Sequence, residues 1–294
     1  MKSLRRKLLL IETAISLGAS TIAAADIVTL TPIEDATISE KEVGLPQGSA
    51  STLNSGTTGP NEGALKNRAL LKFNVASSIP VNAIVTSATL TLTTVQSPTT
   101  TNLFFTLHKV LPAWSESAVT WTNRLSPPAA WSAPGAAPPL DYSSSATQSN
   151  LVAGLGPFTL ASNPSMVADL QDWVRNPANN AGWIIICERE DLERSVRKFA
   201  SREAFNSTNR PSLEVQFTLP VSPLMLTLLP QTNGWVQFQF NAESNRSYTV
   251  VYTGDAGATN WITLTNITPL AAPADILVSD SLTVSNRFYR VQTP

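Results

Sequence analysis

Alternation of apolar and polar residues is the dominant pattern along the chain. Between positions 87 and 95, alanine and leucine residues alternate with threonine. A period of two residues is typical of an antiparallel strand with one buried face. The same pattern predicts strands at 69–75, 104–110, 183–187, 196–201 and 213–217. Because Pro, Gly, Asn and Ser fill the segments between them, the sequence predicts an all-β fold, a β-sandwich of the jelly-roll kind.

One segment has the period of a helix instead. An apolar stripe recurs there at helical spacing, formed by Met166, Val167, Leu170, Trp173 and Val174. A capping asparagine and a first-turn proline precede the stripe, and an Asn-Pro pair at 176–177 follows it. We therefore expect one short helix, which closes one end of the sandwich.

Two breaks in composition divide the chain. Residues 126–157 are rich in Pro, Ala, Gly and Ser, which predicts a long loop that is functional or partly disordered. Residues 218–223 indicate an extended linker, and the short strands after them predict a small sandwich of immunoglobulin or fibronectin type. The predicted organisation is a signal peptide at 1–25, a jelly-roll domain at 26–219, a linker at 220–224 and a small β-sandwich at 225–294.

The N-terminus has the organisation of an export signal. Four basic residues precede a mostly apolar stretch from 8 to 22, which Glu12 interrupts. Three alanines at 23–25 then form a signal-peptidase site, with cleavage expected after Ala25. Because the apolar stretch is too short to span a membrane, the sequence predicts a protein that is secreted or exposed at the cell surface, without membrane attachment after cleavage.

Composition excludes several kinds of chemistry. The chain has 294 residues, of which 20 are Lys or Arg and 21 are Asp or Glu. This balance lacks the positive excess that binding to nucleic acid requires. The single cysteine, Cys187, and the single histidine, His108, exclude an internal disulfide, a zinc knuckle and metal sites built from several histidines. We interpret Cys187 as inert core and His108 as an ordinary strand residue.

Seven short segments occur in an order that resembles a known family. They are DATISE at 35–40, NRALLKF at 67–73, SATL at 87–90, the segment 114–121 that begins with WSE and ends with VTW, VAD at 167–169, FASRE at 199–203 and NRPSL at 209–213. This order resembles the DNRLRE domain, which is related to carbohydrate-binding module family 96 and to disaggregatase-related repeats. The resemblance covers about residues 30–218. It implies a β-jelly roll in secreted, polysaccharide-active proteins, with acidic polysaccharides such as alginate among the ligands.

A sugar-binding surface needs aromatic faces for the pyranose ring and polar groups for its hydroxyls. Trp114, Trp121 and Trp131 flank the long loop, where Trp131 is expected to be exposed and Trp121 buried. An acidic sugar also needs Arg or Lys, and the nearby basic residues are Lys66, Arg68, Lys72, Lys109 and Arg124. A tryptophan in a sandwich is more often core than binding platform. From these sets we predict a ligand site made of Trp131, Trp114, Arg68, Lys66 and Arg124.

The densest charge lies between positions 188 and 203, where acidic and basic residues are equally numerous. This balance predicts internal salt bridges in a solvated turn. Arg202, Glu203 and Arg68 carry the family pattern, and we expect the arginines to pair with carboxylates such as Asp169 and so to brace the sandwich. An arginine held in such a pair has little capacity left for a ligand.

Three classes of function remain open. The leading hypothesis is a non-catalytic, monomeric carbohydrate-binding protein whose partner is a polysaccharide, with the second domain as a spacer or attachment module. The second hypothesis is a structural or adhesive surface protein. The third is a polysaccharide lyase or hydrolase, because Glu188 and Glu190 are two residues apart on one predicted strand face, at a separation that glycosidase carboxylates use.

The sequence requires no cofactor. A structural calcium ion is compatible with Glu34 and Asp35 near the first strand, since jelly-roll binding modules often hold one through carboxylates and carbonyls. An Asp-x-Asp-x-Asp loop, the strongest sequence signal for calcium, is absent.

Overall fold

The computed structural model describes residues 25–220, 224, 226–229, 235–244, 246–281 and 287–293. The predicted signal peptide, apart from Ala25, and most of the predicted linker lie outside these residues. The chain divides into two compact units, residues 1–220 and 221–294, which we describe separately. Over the described ranges, no helix is both long and apolar enough to cross a membrane.

The first unit consists of strands and one α-helix. Its elements are β1 (Asp26–Leu30), β2 (Pro32–Ser39), β3 (Thr52–Thr57), β4 (Lys66–Phe73), β5 (Ile84–Gln96), β6 (Leu103–Lys109), β7 (Asn123–Leu125), β8 (Ala129–Ala130), β9 (Gln148–Val152), β10 (Gly156–Leu160), α1 (Pro164–Arg175), β11 (Trp183–Cys187), β12 (Arg197–Ala200) and β13 (Ser212–Thr218). The predicted all-β jelly-roll sandwich with one short helix is confirmed.

Two antiparallel layers are joined through β3. The first layer has the order β1-β13-β5-β12-β3, with β10 beside β5, and the second has the order β4-β11-β6-β9, with β2 beside β4. Residues 52–55 of β3 pair with β12, whereas Gly56 and Thr57 pair with β4. Gly56 has a φ of 105°, which L side chains rarely adopt. The glycine therefore allows β3 to pass from one layer to the other.

The main core lies between the two layers. On β5, Ala88, Leu90 and Leu92 are fully buried, as their alternation with threonine predicts. Helix α1 adds its apolar stripe to the same core, and Asn163 caps the helix by accepting a 2.8 Å hydrogen bond from the amide of Met166. The predicted helix and its capping residue are thus confirmed.

A second core covers the outer face of the β4–β11 layer. Every residue of β11 is buried because Trp183, Ile185 and Cys187 face the main core while Ile184 and Ile186 face the second one. The side chains that cover this outer face come largely from residues 110–142. The segment predicted as a loop at 126–157 is therefore more ordered than expected, since it also contains β8, β9 and the start of β10.

His108 on β6 is half-buried, and its Nδ1 lies 2.9 Å from the carbonyl oxygen of Ser143. Burial lowers the pKa of this imidazole from its ordinary value of 6.5. Because His108 is the only histidine in the sequence, NMR of its ring protons can follow the titration directly. We expect a midpoint below 6.5 in the folded protein and near 6.5 in urea. The folded state should therefore lose stability as the pH falls through 6.5, and a folded midpoint at or above 6.5 would refute this.

The second unit contains two three-stranded sheets. Its strands are β14 (Thr227–Leu228), β15 (Trp235–Ala242), β16 (Tyr248–Thr253), β17 (Ile262–Ile267), β18 (Ala274–Ser281) and β19 (Phe288–Gln292). The orders are β14-β15-β18 and β17-β16-β19. Phe238, Phe240, Tyr248 and Val250 belong to one core that both sheets share. A relationship of this unit to immunoglobulin or fibronectin domains stays a prediction.

Candidate functional site

A polar groove of about 390 Å³ opens on the first unit where the two layers meet at β3. We call it the β3–β12 groove. Its lining contains three cations, two carboxylates and several side-chain amides. None of the described residues that line the groove is aromatic. The lining residues used below are Lys41, Gln47, Asn54, Gln96, Arg194 and Lys198.

Three adjacent strands supply a row of polar side chains to this groove. Lys198 on β12 is the register partner of Asn54 on β3 and of Gln96 on β5. Direct partners in antiparallel strands point to the same face of the sheet. Because Arg197 and Phe199 on either side of Lys198 are fully buried, alternation directs Lys198 outward. The row therefore presents an amide, an ammonium and a second amide at a spacing of about 5 Å.

Arg194 stands in the turn between β11 and β12. Its φ is 62°, in the left-handed region that residues other than glycine, asparagine and aspartate seldom occupy. The amide of Arg194 donates a 3.1 Å hydrogen bond to the carbonyl of Thr58, which fixes this conformation beside the groove. An arginine held in a strained backbone conformation at a groove points to a use for its side chain.

The groove cations have no salt-bridge partner among the described residues. Arg194 and Lys41 are exposed and Lys198 is half-buried. The carboxylates in the lining are Glu42 and Glu62. Three cations against two carboxylates leave the groove lining with one net positive charge.

The predicted exposure of Trp131 is wrong. Trp131 is only 4% exposed and Trp114 only 3% exposed, and both belong to the second core together with Trp121. The indole of Trp131 donates a 3.0 Å hydrogen bond to the carbonyl of Thr120, and that of Trp114 donates a 2.7 Å bond to the carbonyl of Ala181. Buried rings with satisfied N–H groups cannot stack on a sugar.

Arg68 is held by other groups of the protein. Its guanidinium binds both carboxylate oxygens of Glu190, at 2.8 and 2.7 Å, and also donates to the carbonyls of Gly135 and Ala136. Burial lowers the pKa of Arg68, but the hydrogen bonds to Glu190 and the charge of that carboxylate outweigh this effect and raise the pKa above its ordinary value. Arg68 therefore ties the turn after β11 to the 110–142 segment and has little capacity for a ligand.

Asp169 does not pair with Arg68 or Arg202, contrary to prediction. It accepts a 2.9 Å hydrogen bond from the indole of Trp183 and lies 3.8 Å from the ammonium of Lys109. Helix α1 thus places Asp169 beside Trp183 of β11 and Lys109 of β6. Arg202 pairs instead with Glu116, through two hydrogen bonds of 2.8 and 2.7 Å, and with Glu203 at 2.8 Å.

The prediction that Glu188 and Glu190 share one strand face is also wrong. Strand β11 ends at Cys187, and both glutamates lie in the turn that follows. Glu190 is occupied by Arg68, and Glu188 accepts a 3.2 Å hydrogen bond from the hydroxyl of Ser149.

Burial raises the pKa of the neighbouring Cys187 thiol, which accords with an inert residue.

The remaining predicted ligand residues lie at the surface outside the groove lining. Lys66 begins β4, and Arg124 on β7 donates to the carbonyl of Ala113. The balanced charge of residues 188–203 predicts only a solvated cluster of salt bridges and gives Arg194 and Lys198 no part in a ligand site. The sequence carries no comparable signal for their role, because Lys198 stands between Arg197 and Phe199 and alternation alone does not show which of the two basic residues faces outward.

The predicted calcium ligands have different environments. Glu34 forms a 2.9 Å salt bridge with Lys72, so its charge is already compensated. Asp35 is fully buried on β2 and is grouped with Glu116 and Glu203, one oxygen of each carboxylate lying within 4.8 Å of the others. Sequence reasoning missed Glu116 and assigned Glu203 only to a salt bridge.

Comparison with known proteins gives one family match. Residues 26–134 match carbohydrate-binding module family 96, which confirms the resemblance over this range. No curated protein matches the chain. A solved β-D-glucuronidase from Dictyoglomus thermophilum aligns with 94% of this chain at 8% identity and a TM-score of 0.23. The alignment covers 44% of that enzyme's chain, and a similarity this low carries no argument about fold or activity.

Proposed function

We propose that this protein binds an acidic polysaccharide in the β3–β12 groove without modifying it. The family match over residues 26–134 supports a carbohydrate-binding role. The observation that carries the acidic preference is the set of three cations in the groove, Lys41, Arg194 and Lys198, which have no salt-bridge partner among the described residues.

The chemistry of the groove fits a chain of uronic acid residues. Each uronate carries one carboxylate, which Arg194 can bind through two parallel hydrogen bonds and Lys198 as a point charge. Sugar hydroxyls both donate and accept hydrogen bonds, as do the amides of Gln47 and Gln96. Neither amide has a hydrogen-bond partner in the part of the chain that the structure describes. A groove without aromatic rings relies on these polar contacts, so binding should weaken with salt.

A non-catalytic role is part of the proposal. It is supported by the salt bridge that occupies Glu190 and by the turn that removes Glu188 and Glu190 from a shared strand face. Export rests on the sequence pattern of residues 1–25. A monomeric state is likewise proposed, and size-exclusion chromatography with light scattering would test it.

Affinity electrophoresis tests the proposed ligand class. We expect gels containing alginate or pectin to retard the protein, and retardation to decrease between low and high salt. Alginate whose carboxylates have been reduced to alcohols is the matched control and should not retard it. Equal retardation by native and reduced alginate would contradict the acidic preference. The absence of retardation in every gel would favour a structural or adhesive role instead.

A further inference from the structure

Three carboxylates from distant parts of the chain meet beside β2. Asp35 lies on β2, Glu116 follows β6 and Glu203 follows β12. One oxygen of each lies within 4.8 Å of one oxygen of the others. Two ligands bound to one calcium ion at about 2.4 Å each can be at most about 4.8 Å apart. All three carboxylates are therefore close enough to bind the same ion.

The positive charge at this cluster does not balance its negative charge. Arg202 is the basic residue that contacts it, holding both oxygens of Glu116 and one oxygen of Glu203. Three carboxylates and one guanidinium leave two negative charges. The nearby Glu34 and Lys72 neutralise each other at 2.9 Å and do not alter this balance. A divalent cation would balance these two charges.

Two oxygens in the cluster accept no hydrogen bond within the described residues. They are Oδ1 of Asp35 and Oε2 of Glu203, and both atoms are buried. Asp35 as a whole is fully buried, and its other oxygen accepts a 2.7 Å hydrogen bond from the amide of Arg202. A buried carboxylate oxygen without a partner is costly. These two atoms are thus the ones that require a ligand.

We propose that Asp35, Glu116 and Glu203 bind one divalent cation of the calcium class, which locks β2 to the segments after β6 and β12. The ligands are all oxygen atoms, which suits calcium or magnesium rather than zinc. Three protein oxygens leave positions for water in the six- to eightfold coordination of calcium. The site is separate from the β3–β12 groove, whose lining contains none of these three carboxylates.

Calcium binding and thermal unfolding of the purified protein test this proposal. After treatment with EGTA, equilibrium dialysis should find one Ca²⁺ bound per chain. The unfolding temperature of the first unit should rise by about 5 °C or more in saturating calcium compared with EGTA. Asp35→Asn and Glu203→Gln should each weaken calcium binding about 30-fold or more and abolish this rise.

The unfolding temperature of the variants in EGTA shows whether the substitutions disturb folding. Asp35→Asn removes a buried charge, so in EGTA it should unfold at or above the temperature of the unsubstituted protein. Glu214→Gln, which removes an exposed carboxylate from β13, is the matched control and should retain the calcium response. Wild-type protein that binds no calcium and unfolds at the same temperature in calcium and EGTA would overturn the proposal. Full calcium binding by both variants would overturn the assignment of the ligands.

Discussion

Removing the two groove cations of the β11–β12 segment is expected to reduce affinity for alginate oligosaccharides about 100-fold. The change is Arg194→Gly combined with Lys198→Gln. A charge-assisted hydrogen bond contributes about 1.5–3 kcal/mol, and 1.4 kcal/mol is a factor of ten in affinity. Two such contacts therefore account for a loss of this size. Isothermal titration calorimetry against an alginate oligosaccharide at low salt measures it.

Glycine is the appropriate replacement at position 194 because the backbone there is left-handed, with a φ of 62°. Arg194→Gly should leave the free energy of unfolding unchanged or raise it by up to about 1 kcal/mol. Arg189→Ala is the matched control, since Arg189 lies in the same turn but is bound to Asp191 at 2.9 and 3.0 Å. An equal loss of affinity in Arg189→Ala, or full affinity in the double variant, would contradict the assigned groove.

Gly182→Ala is expected to destabilise the first unit by about 2–4 kcal/mol. Gly182 precedes β11 with a φ of 72°, and a Cβ there would stand 2.1 Å from the carbonyl oxygen of Leu71 on β4. The left-handed backbone costs an alanine about 1–2 kcal/mol, and overpacking against a neighbouring strand adds about 1–3 kcal/mol. Urea denaturation followed by tryptophan fluorescence measures the difference.

Gly154→Ala serves as the comparison for this change. A Cβ at position 154 would meet nothing within 4 Å, and its φ lies outside the left-handed region. We expect its free energy of unfolding to stay within about 0.5 kcal/mol of the unsubstituted protein. Similar stability of the two alanine variants would show that β4 and the β11 start can separate without cost, contrary to the described packing.

Strands of the main core that bury only one face, such as β5, could be predicted from their alternation. Ala88, Leu90 and Leu92 alternate with threonine on β5. In the structure these three apolar residues point into the core, and most of the alternating polar residues point away from it. The second core could not be predicted in the same way, because Trp114, Trp121 and Trp131 come from a segment without periodicity. A signal for it was present in β11, where five consecutive apolar residues require burial on both faces.

The residues that line the groove could not be predicted from the sequence for a different reason. Asn54, Gln96 and Lys198 lie on three strands that are distant along the chain, and only the register of the folded sheet makes them neighbours. The left-handed conformation of Arg194 has no sequence signature either. The carboxylate cluster was found in part, since Asp35 was predicted from its place near the first strand, whereas Glu116 joins it only through tertiary packing.

The location of the ligand is the central claim, and mapping it by NMR tests that claim most directly. Backbone amide spectra of the protein would be recorded during titration with an alginate oligosaccharide. We predict that the largest shifts occur at Asn54, Gln96 and Lys198, the row that crosses β3, β12 and β5. Shifts concentrated elsewhere, with this row unchanged at saturation, would contradict the account.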